Sequence, residues 1–167
     1  MRRTFTLMIG LLAVAACSAS EEDACEPLYQ GGATDEAWRT MLDAIGRAQV
    51  GVTQSPAITA PTEGQIMATG DAPPLVSWSS PLAKPHLPPV TGDVYLVEIA
   101  VPGRDCPVNL LTTDLSWQLD AASWAAITSG GAKTVAVQIT SAYLTNGRIM
   151  EGEGPFQPQA PRTFKIQ

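Results

Sequence analysis

The sequence predicts a mainly β protein: an antiparallel sandwich of about seven strands, preceded by one amphipathic helix. Three observations carry this. Fourteen prolines and fourteen glycines in 167 residues favour a loop-rich β body over a helix bundle. Apolar residues after Pro56 alternate with polar ones in short runs bounded by turn residues. A sustained helical period occurs in the leader-free chain only before that point, between Asp35 and Ala48.

The chain opens with Arg2 and Arg3, followed by an apolar block from Phe5 to Val14 broken only by Thr6 and Gly10. That block is shorter than the roughly 20 residues a membrane-spanning helix needs. Its charge, length and small-residue end fit an export leader over residues 1–16. Taken alone, it is also readable as an ordinary signal that ends near a cysteine, or as an N-terminal core helix. Val14-Ala15-Ala16-Cys17 resembles the lipobox of bacterial lipoproteins: aliphatic, small, small, cysteine. The resemblance implies that Cys17 receives a diacylglyceryl group and becomes the N-terminus, so that lipid holds the protein on a membrane. Two acyl chains, at about 0.8 kcal/mol per buried CH₂, anchor stably where one does not. Ser18 at the next position implies sorting to the outer membrane of a Gram-negative envelope. Residues 17–33 then act as a lipidated cysteine and tether, polar and acidic from Ser18 to Asp23.

All sixteen acidic residues follow Cys17, and eight of the ten basic ones remain once the leader is removed, a net charge of −8. Such a surface disfavours nucleic acid, whose phosphates need neutralising. With Cys17 acylated, Cys25 and Cys106 are left, and an exported compartment allows a disulfide between them. Neither lies in a CxxC or Cys/His cluster, so no zinc site is expected.

Thr34 or Asp35 caps the helix over 34–49, and Asp35 and Glu36 favour its N-terminal dipole. Trp38, Met41, Leu42 and Ile45 form its apolar stripe, with Arg39, Asp43 and Arg47 on the wet side. The β body then spans 55–167. Ala57–Thr69 holds a Pro-Thr-Glu-Gly turn between two extended pieces. Pro74–Ser80 places Val76 and Trp78 on one face. Lys84–Asp93 is too proline-rich for a central strand. Asp93–Gly103 is apolar on both faces and reads as central. Leu115–Asp120 alternates as a half-buried strand, and Ala121–Ile127 reads as one helical turn. Thr134–Leu144 alternates again, ending at the turn Thr145-Asn146-Gly147. Thr163–Ile166 reads as an edge strand.

Pro61 near the end of a first strand, Trp78 on the second, Tyr95 opening the third, Val135–Leu144 as the sixth and Thr163–Ile166 closing together resemble the immunoglobulin-like, fibronectin type III group. The resemblance spans about residues 55–167 and implies an immunoglobulin-like β-sandwich. Ser116–Ile127 is longer than that group's usual fifth strand and turn, which leaves other sandwiches open.

Chemical motifs are sparse. There is no GxSxG elbow, no phosphate-binding GxxxxGK[ST] loop and no GxGxxG. The single histidine, His86, lies in the proline-rich loop and is expected to be exposed. Glu151 with Glu153, and Asp114 with Asp120, lack the oxygen density of a Ca²⁺ loop. No catalytic residue, metal or cofactor is therefore assigned. Buried packing is the expected use of the tryptophans; Trp124, among alanines after a strand, is the one most open to partial exposure and to contact with a ligand such as a glycan ring. The expected function is a lipid-anchored, cell-envelope module, non-catalytic, that binds another envelope protein or a glycan or serves a structural role. The alternative is a small secreted hydrolase or glycan-binding protein with an unrecognised site.

Overall fold

The computed structural model describes residues 25–81 and 83–167. The leader expected over residues 1–16, the lipidation expected at Cys17 and the tether residues 18–24 lie outside the described residues. Twelve strands and two helices are present among those described, in the order β1 (Leu28–Gln30), α1 (Asp35–Ile45), β2 (Gln49–Val50), β3 (Ala57–Ala60), β4 (Gln65–Met67), β5 (Leu75–Ser79), β6 (Gly92–Ala100), β7 (Val108–Thr112), β8 (Ser116–Gln118), α2 (Ala121–Thr128), β9 (Lys133–Thr145), β10 (Arg148–Ile149), β11 (Phe156–Gln157) and β12 (Arg162–Ile166).

The body is two sheets. Strands β3, β5 and β8 form the smaller, and the other nine form the larger. Strand β9 is the spine of the larger. One of its edges pairs with β6 from Gly92↔Leu144 to Ala100↔Ala136. The other edge is shared by β12, β11 and β10. Outside β6 come β7 and then β1. The first extended segment divides at Pro61: β3 pairs with β5 in the small sheet, while β4 crosses to the large sheet and pairs with β12.

Two apolar clusters hold the layers together. The larger lies between the sheets, where Val76, Trp78 and Trp117 of the small sheet meet Tyr95, Val97, Ile99, Val135, Val137, Ile139, Phe164 and Ile166. These are alternate positions along β6, β9 and β12, as a pleated strand requires. Each buried aliphatic side chain contributes about 1.5–3 kcal/mol by leaving water. The smaller cluster lies on the opposite face of the large sheet, where Ala37 and Met41 of α1 cover Val94, Leu96, Leu111 and Leu144.

The structure corrects four expectations. The strands number twelve among the described residues, not about seven, because short pieces add to the long ones: 28–30 pairs with β7, 156–157 with β9, and 49–50 with 156–157. The large sheet is mixed, not antiparallel: β1, β2 and β4 each pair in parallel. Strand β12 lies between β9 and β4 and is not an edge. Residues 121–128 form a full eight-residue helix, α2, because the Asp120 carboxylate caps the backbone N–H of Ser123 at 2.8 Å.

Candidate functional site

A groove of about 680 Å³ lies between α1 and the start of the described chain. It exceeds the cleft of about 430 Å³ beside Pro158–Arg162. Its geometry follows from how α1 is seated. The helix begins at Thr34, whose hydroxyl accepts the Ala37 N–H, and ends at Gly46. Its fully inward face is Ala37, Met41 and Ala44, so small side chains let the helix approach the sheet closely. Trp38 and Ile45 fall at the margin of that contact. Leu42, expected in the inward stripe, turns outward and is 45 % exposed. Helix α1 is thus rolled relative to the expected stripe.

That roll builds the groove. Trp38 and Leu42 form its apolar part on α1, and Tyr29 of β1 faces them. The register of Tyr29 with Leu111 puts its side chain on the same face of the large sheet as α1. Tyr29 stays 44 % exposed. Its phenol ionises above the usual tyrosine range. Partial burial is the main cause, and a hydrogen bond donated to the Asp35 carboxylate and the charges of Asp35 and Glu26 add to it; Arg39 opposes them. Glu26, Asp35 and Asp43 line the groove against the one cation of its lining, Arg39.

The N-terminal side of this groove is fixed by covalent and polar links. Cys25 and Cys106 form a disulfide across 81 residues of sequence, with Cα atoms 5.4 Å apart. The Asn109 Nδ2 donates to the Cys25 carbonyl at 3.2 Å. Gln30 Nε2 donates to Asp114 at 3.0 Å, and Thr113 Oγ1 accepts the Gly32 N–H at 2.9 Å.

A second polar group is enclosed at one end of the sandwich. Asp93 is 3 % exposed. It accepts the Lys84 backbone N–H, and the Tyr95 hydroxyl lies 3.5 Å from the same oxygen. Burial raises the Asp93 carboxyl above its ordinary range, against the pull of the Lys84 N–H and ammonium. Burial also pushes the Tyr95 phenol up to about 12. The Lys84 ammonium sits 4.2 Å from the centre of the Tyr143 ring. These contacts tie the proline-rich loop to β6 and β9. They form no cleft, and they read as a clamp on that loop.

The remaining sequence candidates are placed as follows. Trp124 is 5 % exposed, inside the inter-sheet core, with its indole N–H donating to the Asp71 carbonyl at 3.0 Å. It therefore offers no ring face to a ligand; the helix that sequence patterning did not give in full turns it inward. His86 is half-buried, not exposed: its ring lies against Gly32, and its Nε2 has no hydrogen-bond partner among the described residues. No carboxylate or hydroxyl engages that nitrogen. Asp120 is spent on the α2 cap, and its pKa is lowered by the Ser123 N–H and hydroxyl. Among the described residues no three His, Cys, Asp or Glu side chains converge as a metal site would require.

Sequence patterning missed Tyr29, Leu42 and Glu26 as a group. The readable trace was the pair Trp38 and Leu42 flanked by Asp35, Arg39 and Asp43 on one helix. Which flank faced water depended on the roll of α1, which alanines set. No protein-family model, curated protein or solved structure matches the chain.

Proposed function

We propose that the protein is a lipid-anchored binding module of the bacterial cell envelope, held at Cys17 and meeting its partner through an exposed surface. The observation that carries the reading is the groove of Tyr29, Trp38 and Leu42, an open aromatic and apolar surface rimmed by charge. Exposed apolar surface rimmed by polar residues marks interaction sites and ligand-binding grooves. The groove begins at Glu26, nine residues after Cys17, so the anchor and the binding face belong to the same end of the chain. The lipobox-like Val14–Cys17 supports the anchor, and the Cys25–Cys106 disulfide is the chemistry of an oxidising compartment.

The body is read as immunoglobulin-like. Strand order supports this. Counting β3 and β4 as one divided first strand, followed by β5, β6, β7, β8, β9 and β12, the first, second and fifth share one sheet. The third, sixth and seventh share the other. That is the division found in the immunoglobulin group, with β7 added beside the third strand. Strands β1, β2, β10 and β11 and helix α1 are additions to that frame.

Membrane fractionation tests the anchor. The native chain is expected in the membrane pellet and released by detergent but not by salt. Cys17→Ala is expected to leave the pellet. Unchanged membrane association of Cys17→Ala would overturn acylation at that sulfur.

A further inference from the structure

We infer that the groove between β1 and α1 takes an extended, lysine-bearing segment of a partner protein, added as a strand along the outer edge of β1. The inference deepens the binding-module reading and rests on it for the existence of a partner; the chemistry of the occupant comes from the groove itself. Three observations lead to it.

The first is the edge. Strand β1 ends the large sheet, and among the described residues no strand pairs with its outer side. An open edge is a template for an added strand, whose backbone supplies affinity while alternate side chains reach the neighbouring pockets. Leu28 and Tyr29 on β1 are 46 % and 44 % exposed, so the edge is reachable.

The second is the content of the groove beside that edge. Tyr29 and Trp38 present ring surface, and Leu42 presents an aliphatic one. A lysine lays its four-carbon stem on such a surface and keeps its ammonium near aromatic faces and carboxylates.

The third is charge. Glu26, Asp35 and Asp43 against Arg39 give the groove a net −2. This argues against other occupants. The segment between Cys17 and Cys25 carries Glu21, Glu22 and Asp23, which the groove repels. A second copy of the chain, at net −8 once the leader is removed, is repelled as well.

The test uses the full-length chain in non-ionic detergent and a fluorescein-labelled octapeptide of alternating Lys and Val, read by fluorescence anisotropy. Saturable binding is expected, weakening at least tenfold between low salt and 0.5 M salt. The Glu-Val counterpart should not bind. The Lys-Val peptide N-methylated at alternate residues, which cannot complete a strand ladder, should bind at least tenfold more weakly. Glu26→Lys/Asp43→Lys should weaken binding at least tenfold, and Leu42→Ser several-fold, with thermal melts confirming that both variants fold. Glu151→Lys, an equal charge change outside the groove, should alter binding less than twofold. Equal binding of the N-methylated peptide would overturn strand addition. An equal loss in Glu151→Lys would overturn the groove as the site, and displacement by a neutral chitin hexasaccharide would make it a glycan site. Each of those results leaves the anchored-module reading intact if Cys17 is still acylated. Loss of acylation with peptide binding retained would do the reverse.

Discussion

The Trp78 and Tyr95 rings stand with centroids 5.6 Å apart, tilted by 60°, where the small sheet faces the large one. Tilted packing of this kind adds to the gain from burial. Both residues sit in the inter-sheet core, Trp78 on β5 and Tyr95 on β6. Tyr95→Ala is expected to cost about 3–5 kcal/mol in urea unfolding, as for other buried aromatics. Tyr95→Phe keeps the ring and removes the hydroxyl, a loss of about 1 kcal/mol. Ultraviolet titration should show a tyrosinate step near pH 12 that Tyr95→Phe abolishes. Because the folded phenol ionises above the unfolded one, its contribution is complete below about pH 10 and lost as pH rises towards 12.

Asp93 gives a pH dependence at the other end of the scale. Burial raises its folded pKa above the ordinary aspartate value. The protonated form is thus favoured in the folded state, and stability falls as pH rises through the acid range. The charged groups around it are Lys84, which lowers the pKa, and Glu153, which raises it, with the Tyr95 hydroxyl beside them. Asp93→Asn should therefore gain stability relative to the native chain as pH goes from 3 to 7. A difference in melting temperature that is flat or reversed across that range would contradict the burial argument.

The Cys25–Cys106 bridge closes an 81-residue separation. In the chain-entropy account a loop of that size is worth roughly 4 kcal/mol. Cys25→Ser/Cys106→Ser is expected to unfold at correspondingly lower denaturant, with the N-terminal wall of the groove loosened first. Peptide mapping without reductant should recover the two cysteines in one linked fragment.

Helix α1 separates packing from surface. Met41→Ala removes a fully buried side chain and should cost about 2–5 kcal/mol. Thr34→Ala removes the cap on Ala37 N–H and should cost about 1 kcal/mol. Leu42→Ser, on the exposed flank, should change stability by less than about 0.5 kcal/mol. A large loss from Leu42→Ser would mean that α1 is rolled the other way, with the groove closed.

Much of the β body could be read from residues alone. Strands β5, β6 and β9 follow their alternation, and both apolar faces of β6 are covered, one by the inter-sheet core and the other by the α1 cluster. Helix α1 follows its cap and its period. What could not be read depends on distant neighbours. Strands β1, β2 and β11 hold two or three residues each, too few for a pattern, and exist because β7 offers an edge to β1, β9 to β11, and β11 in turn to β2. Strand β7 carries apolar side chains on adjacent positions in Leu110 and Leu111, one for each core cluster, so no alternation marks it. The groove depends on which of two adjacent helix flanks meets the sheet, a choice made by Ala37 and Ala44 packing closely. Trp124 packs in the core, the favoured of its two readings; sequence left ligand contact open because α2 is apolar nearly all round, and only the tertiary contact decides which side chain turns inward.

The anchored-module account rests on what is attached at Cys17. Intact-mass spectrometry of the protein purified from membranes measures it directly. The account predicts a chain that begins at Cys17, with the added mass of a diacylglyceryl group and no leader. A chain that still carries Met1–Ala16, or one cleaved elsewhere with Cys17 unmodified, would contradict it.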